Sequence, residues 1–154
     1  MNEERIILLV EDNPSDVELT RRALARKQIN NEMWVAYDGE EALDLLLGRG
    51  RCVNCEALRL PAVILLDLHL PKVSGLEVLR RLRAEEHTRL IPVVVLTTSI
   101  EPRDIAQSYE LGANSYIRKS IDFVSFADTV GQLGTYWLSV NEPPPPTQPA
   151  KTVN

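Results

Sequence analysis

The sequence predicts one doubly wound α/β domain on a parallel sheet of five strands in the order 2-1-3-4-5, and three observations lead there. Short β-rich segments alternate strictly with segments of helical periodicity. Three of the strand segments, IILLV, AVILL and IPVVVL, are apolar without polar alternation, as strands buried on both faces of a parallel sheet must be. The chain has 154 residues, 44% of them hydrophobic, which is room for one sizeable core and not for a second domain.

The elements follow in order. Residues 6–10 form the first strand, and Asn13 as N-cap with Pro14 at the first helical position opens a helix to about residue 27. Residues 33–37 are the second strand; the helix after them, 39–48, sets Ala42, Leu43 and Leu46 on one side and stops at glycine. Residues 62–66 are the third strand. Ser74 and Glu77 have capping-box spacing ahead of a helix whose inward stripe is Val78, Leu79 and Leu82. Residues 91–96 are the fourth strand, followed by a helix that Pro102 opens and Gly112 closes in the left-handed conformation. The fifth strand, 115–117, precedes a helix from about 122 to 138 with Phe123, Phe126, Val130, Leu133 and Trp137 at helical spacing. Such βα alternation requires right-handed crossovers, and ten elements are too few for a barrel of eight units, which leaves an open flavodoxin-like sheet.

Several functions are set aside by composition. A net charge of −5 argues against a nucleic-acid binder, which needs a basic face to displace counterions. The opening apolar run ends at Glu11 and Asp12, too short for a signal-peptide core or membrane span, so a cytoplasmic protein is expected. Cys52 and Cys55 form a lone CVNC pair with no second ligand pair, and read as ordinary loop thiols. Residues 1–140 are read as the domain, and 141–154, NEPPPPTQPAKTVN, as a disordered tail whose prolines forbid helix.

Parallel strands finish on one edge of the sheet, and ligands of such sheets lie beyond that edge. Glu11 and Asp12 follow strand one, Asp67 strand three, Thr97, Thr98 and Ser99 strand four, and Lys119 strand five. Strands one and three are neighbours in this order, so three carboxylates gather. Like charges about 4 Å apart repel by on the order of 4 kcal/mol at an effective dielectric near 20. The cluster therefore calls for a cation, and oxygen ligands with room for water and phosphate suit Mg²⁺.

Four segments, LLVEDNPSD, LLDLHLPKVSG, VVVLTTS and SYIRKS, together resemble the response-regulator receiver domains of two-component signalling, over about residues 4–138. The resemblance implies that Asp67 accepts a phosphoryl group from the phosphohistidine of a sensor histidine kinase. It implies that Asp12 binds Mg²⁺ directly, Glu11 through water, and that the main-chain carbonyl of His69 completes the set with Asp67. It makes Lys119 the partner of the phosphoryl oxygens, Thr97 the hydroxyl that moves toward them, and Tyr116 the aromatic that follows. Such a protein is a phosphoacceptor switch and not an enzyme acting on outside substrates.

Two positions depart from the family's pattern. Ser120 stands where receivers usually place proline after the lysine, and a trans peptide is expected there because cis before serine costs about 2.5–4 kcal/mol. His69 stands where related receivers often carry asparagine, near the route of attacking water. DLHLPKVSGLEVL and the ending TYWLS most resemble small receivers that partner phytochrome kinases. Phe123, Phe126, Trp137 and Leu138 exceed what one inward face needs, and a homodimer surface on the fourth helix, fifth strand and fifth helix is expected to use some of them. Two rival readings use the same fold: a pseudo-receiver that only binds, its site spoiled by Ser120, and an aspartyl-phosphate phosphatase of the haloacid dehalogenase type. The second would want an aspartate two residues after Asp67, where His69 stands.

Overall fold

The computed structural model describes residues 4–48 and 59–145. Cys52, Cys55 and the part of the expected tail beyond residue 145 lie outside them. Five strands, β1 (Ile7–Val10), β2 (Met33–Ala36), β3 (Val63–Leu66), β4 (Val93–Thr97) and β5 (Ser115–Arg118), alternate with five helices. These are α1 (Pro14–Arg26), α2 (Gly39–Leu47), α3 (Gly75–Ala84), α4 (Pro102–Glu110) and α5 (Phe123–Thr135), and α5 runs into a π-helical turn, Tyr136–Val140. The strands pair in parallel in the order β2-β1-β3-β4-β5, as the sequence predicts.

The pleat divides the core in two, because successive side chains of a strand face opposite sides of the sheet. Leu8, Val10, Ile64, Leu66, Val93 and Val95 pack with Ala42, Leu43 and Leu46 of α2 and Val78, Leu79 and Leu82 of α3. Ile7, Leu9, Val63, Leu65, Val94 and Leu96 pack with Val17, Ala23 and Leu24 of α1 and Phe126, Ala127 and Val130 of α5.

The helix ends form by the chemistry the sequence offers. Asn13 Oδ1 accepts from Ser15 N–H, Asp38 from Glu41 N–H, and Ser74 Oγ from Glu77 N–H. The capping box is only half used. Glu77 turns its carboxylate to Arg80 and Arg81, one turn along the helix, where charge-assisted bonds are stronger than a return bond to a neutral amide. Gly112 takes the left-handed conformation with φ 100° beyond the end of α4. Strand β4 starts at Val93 rather than residue 91 because Pro92 has no N–H to give the ladder, although its carbonyl still accepts from Ile64 N–H at 2.9 Å.

One expectation is corrected. Phe126 is 5% exposed and packs on the β-sheet within the subunit, and Leu138 is 2% exposed, so neither is free to meet a second copy. The stripe they occupy faces the sheet; Phe123 and Trp137 are partly buried at its margin. No helix among the described residues is long and apolar enough to cross a membrane.

Candidate functional site

Glu11, Asp67 and Lys119 each lie two residues beyond a side chain of the α1/α5 half of the core: Leu9, Leu65 and Ile117. Period-two alternation aims all three to that side, at the carboxyl edge of three different strands. Backbone bonds fix the bases from which they project. Glu11 N–H donates to Ala36 O at 2.9 Å, Asp67 N–H to Val10 O at 3.1 Å, and Lys119 N–H to Thr97 O at 2.7 Å. The Lys119 ammonium then meets three carboxylates. It bonds Glu11 Oε1, lies 3.3 Å from Asp67 Oδ2, and lies 3.2 Å from Asp16 Oδ2 on the first turn of α1.

Burial sets the electrostatics. Glu11 is 2% exposed, and burial pushes its carboxyl up to about 7, with Lys119 pulling it back down and the charge of Asp67 adding to the rise. Burial would also disfavour the Lys119 ammonium, but the bond to Glu11 and the charges of Asp67, Glu11 and Asp16 outweigh it and hold the lysine protonated well above its usual range. A single ammonium does not neutralise this edge, since Asp12 adds a further carboxylate. Oxygens of Glu11, Asp12 and Asp67 all lie within 4.8 Å of one another. All are hard oxygen donors, and the exposure of Asp12 leaves a solvent side where a cation can keep its waters, so the residues present fit Mg²⁺.

Thr97 and Tyr116 occupy the other face. Thr97 is two residues beyond Val95 and fully buried, and Tyr116 packs against the α2/α3 half of the core. The Tyr116 hydroxyl donates to Ser99 O at 2.9 Å, and Ser99 Oγ donates to Asp104 Oδ2 at 2.6 Å. Tyr116 is thus tied to the loop that carries Thr97 into α4.

The response regulator receiver domain family matches residues 7–130. The chain belongs to that family. It is 42% identical over 144 residues to the probable methanogenesis regulatory protein FilR2 of Methanothrix harundinacea, across 92% of this chain and 88% of that protein. The structure of the phosphorylated cyanobacterial phytochrome response regulator RcpA is similar at a TM-score of 0.84 and 40% identity, covering 92% of this chain and 99% of that one. Response regulator Rcp1 of Synechocystis, solved in its Mn²⁺-bound form, is similar at 0.83 and 37%, with the same coverage. Receiver domains hold a divalent cation at their acidic pocket and work with histidine kinases, and this chain carries the pocket.

Of the residues singled out in the sequence, Glu11, Asp12, Asp67 and Lys119 come together, and Thr97 and Tyr116 lie on the opposite face of the same edge. The His69 side chain is exposed, while its N–H donates to Asp67 Oδ1 at 3.3 Å. The Lys119–Ser120 peptide is trans. Asp16 escaped the sequence reading. An acid in a helix's first turn is ordinarily read as a complement to the helix dipole, and its partner is 103 residues away. Asp16 is the third residue of α1, and only the fold brings that first turn over the edge where Glu11 stands.

Proposed function

We propose that this receiver is switched by phosphorylation of Asp67, taken from a phytochrome-type histidine kinase. The observation that carries the reading is the ammonium of Lys119 shared between Glu11 and Asp67, which joins β1, β3 and β5 at one point. In the transfer, an Asp67 carboxylate oxygen bonds phosphorus as the bond to the kinase's imidazole nitrogen breaks. The transition state is loose and spreads charge over equatorial oxygens, so positioning and positive charge count for more than a strong base. Lys119 supplies a positive charge beside Asp67. Asp12 and Asp67 would hold Mg²⁺ directly, Glu11 through water, and the His69 carbonyl would complete the protein ligands. The bound ion supplies charge neutralisation at the phosphoryl oxygens.

Thr97 and Tyr116 carry the change outward. When the Thr97 hydroxyl turns to a phosphoryl oxygen it draws on the β4–α4 loop, whose Ser99 carbonyl Tyr116 holds. Tyr116 then follows inward, and the outer face of α4, β5 and α5 changes shape. The outer margin of α5, with Phe123, Trp137 and the exposed Val124 and Tyr136, is where a second copy would dock.

Incubation with acetyl phosphate and Mg²⁺ tests the reading. A mass gain of one phosphoryl group is expected in the wild type and none in Asp67→Asn. Equal gain in both proteins would reject it. Sedimentation before and after phosphorylation tests the pairing of copies, which a monomer in both states would overturn.

A further inference from the structure

The three donors of the Lys119 ammonium are committed to three carboxylates, and these are not equivalent. Glu11 and Asp67 belong to the cluster whose oxygens converge for a cation, and Asp67 is the proposed acceptor. Asp16 belongs to neither. It stands on the first turn of α1, whose start is fixed by the Asn13 cap on Ser15 N–H at 2.9 Å and by burial of Val17. Its own carbonyl is held by the Thr20 hydroxyl at 2.8 Å. The carboxylate is therefore presented from a rigid base.

The chain after Lys119 gives little support. Ser120 is exposed and Ile121 is 100% exposed, and among the described residues the backbone holds the lysine by the bond from its N–H to Thr97 O. That bond fixes where the side chain starts and not where it ends. A long flexible stem has much rotamer freedom to lose, and something must keep the ammonium over the edge once its other partners are engaged.

From this geometry we infer that Asp16 is a positioning residue, which keeps the Lys119 ammonium at the acidic edge while Glu11 turns to the cation and Asp67 to the phosphoryl group. The inference rests on the phosphoacceptor reading of Asp67. One of the three donors stays on Asp16 as an anchor, and the two it frees are aimed at phosphoryl oxygens. The other duty an acid can have in this position, complementing the positive end of α1, would act without Lys119.

Four variants separate the two roles: Asp16→Asn, Asp16→Glu, Lys119→Ala, and Asp16→Asn combined with Lys119→Ala. Two readouts are needed: the rate of phosphorylation by acetyl phosphate at saturating Mg²⁺, and ¹⁵N relaxation of the Lys119 ammonium in unphosphorylated protein. Asp16→Asn is expected to slow phosphorylation about tenfold, the loss of one charge-assisted hydrogen bond, and to mobilise the ammonium. Asp16→Glu is expected to recover most of both. Added to Lys119→Ala, Asp16→Asn is expected to change the rate by less than about twofold, because coupled residues lose their effect together. An ammonium equally immobile in Asp16→Asn overturns the inference, as does a tenfold loss that persists without Lys119. If the wild type takes up no phosphoryl group, the reading of Asp67 falls, and the mobility of the ammonium alone decides the hold by Asp16.

Discussion

Gly75, the first residue of α3, lies so close to the main chain of Asp67 that a Cβ on it would sit 2.2 Å from the Asp67 carbonyl oxygen and 2.6 Å from Leu68 Cα. Backbone, unlike the tip of a side chain, cannot step aside without moving what it carries. Gly75→Ala is therefore expected to destabilise the fold by about 1–3 kcal/mol in urea titrations and to slow phosphorylation as well, since the displaced carbonyl belongs to the proposed acceptor. Unchanged stability would mean that α3 can shift as a body away from β3.

Removing the Lys119 charge leaves Glu11, Asp16 and Asp67 facing one another without their shared cation. Lys119→Ala is expected to lower phosphorylation by about a hundredfold, the usual scale for loss of one preorganised charge at a reacting centre. It should also make stability depend more steeply on Mg²⁺, because a ligand that binds only the folded state stabilises it by mass action. Thermal melts across a magnesium series check this. Equal midpoint shifts in wild type and variant would argue that the acids do not repel.

Arg83 ties the end of α3 to two loops. Its guanidinium donates to Gly112 O at 3.1 and 2.9 Å, to Arg89 O at 2.9 Å, to Ile91 O at 2.8 Å and to Asn114 Oδ1 at 3.1 Å. Asn114 Oδ1 in turn accepts from Val93 N–H at 2.9 Å, which starts β4 beside β5. Arg83→Met keeps the stem and strands these acceptors, and a loss of about 2–4 kcal/mol is expected by denaturant unfolding. Hydrogen exchange should show the loss concentrated at the start of β4 and β5.

Acid should weaken α3 through Glu77. Hydrogen bonds from Arg80 and then Arg81 hold its carboxyl down to about 2 from an ordinary value of 4.5. A group whose folded value is depressed gives its full contribution above the unfolded value and loses it as pH falls through the folded one. Wild-type stability is thus expected to decline between pH 4.5 and about 2. Glu77→Gln should start lower and decline less over that window, as melts at several pH values would show. The side chain is 33% exposed, so solvent screening keeps the effect modest.

Strand order and edge chemistry were legible because both follow from chain order. Unbroken apolar runs declare buried parallel strands, and the residue after each run must fall on one rim. Glu11, Asp67 and Lys119 can be assembled that way from the sequence. The caps at Asn13 and Ser74 were legible for a similar reason, being local. What stayed hidden depends on competition between partners. Glu77 had the spacing to return to its cap, but two arginines within one turn outbid a neutral amide. Phe126 had the hydrophobicity of an interface residue, and only the packing of α5 on the sheet shows that its own subunit consumes it. Asp16 needed the reach of Lys119 to the first turn of α1, which no local pattern announces.

The two sides of the sheet meet at this rim with different equipment: ion pairs toward α1 and α5, a threonine and a tyrosine toward α4. A phosphoryl group on Asp67, as proposed, would stand at the rim where the two halves of the core meet. On the proposed function, chemistry would be received in one and read out in the other, through Thr97, Tyr116 and the loop into α4. The place where the group would be written and the place where it would be read would then lie on opposite faces of one sheet.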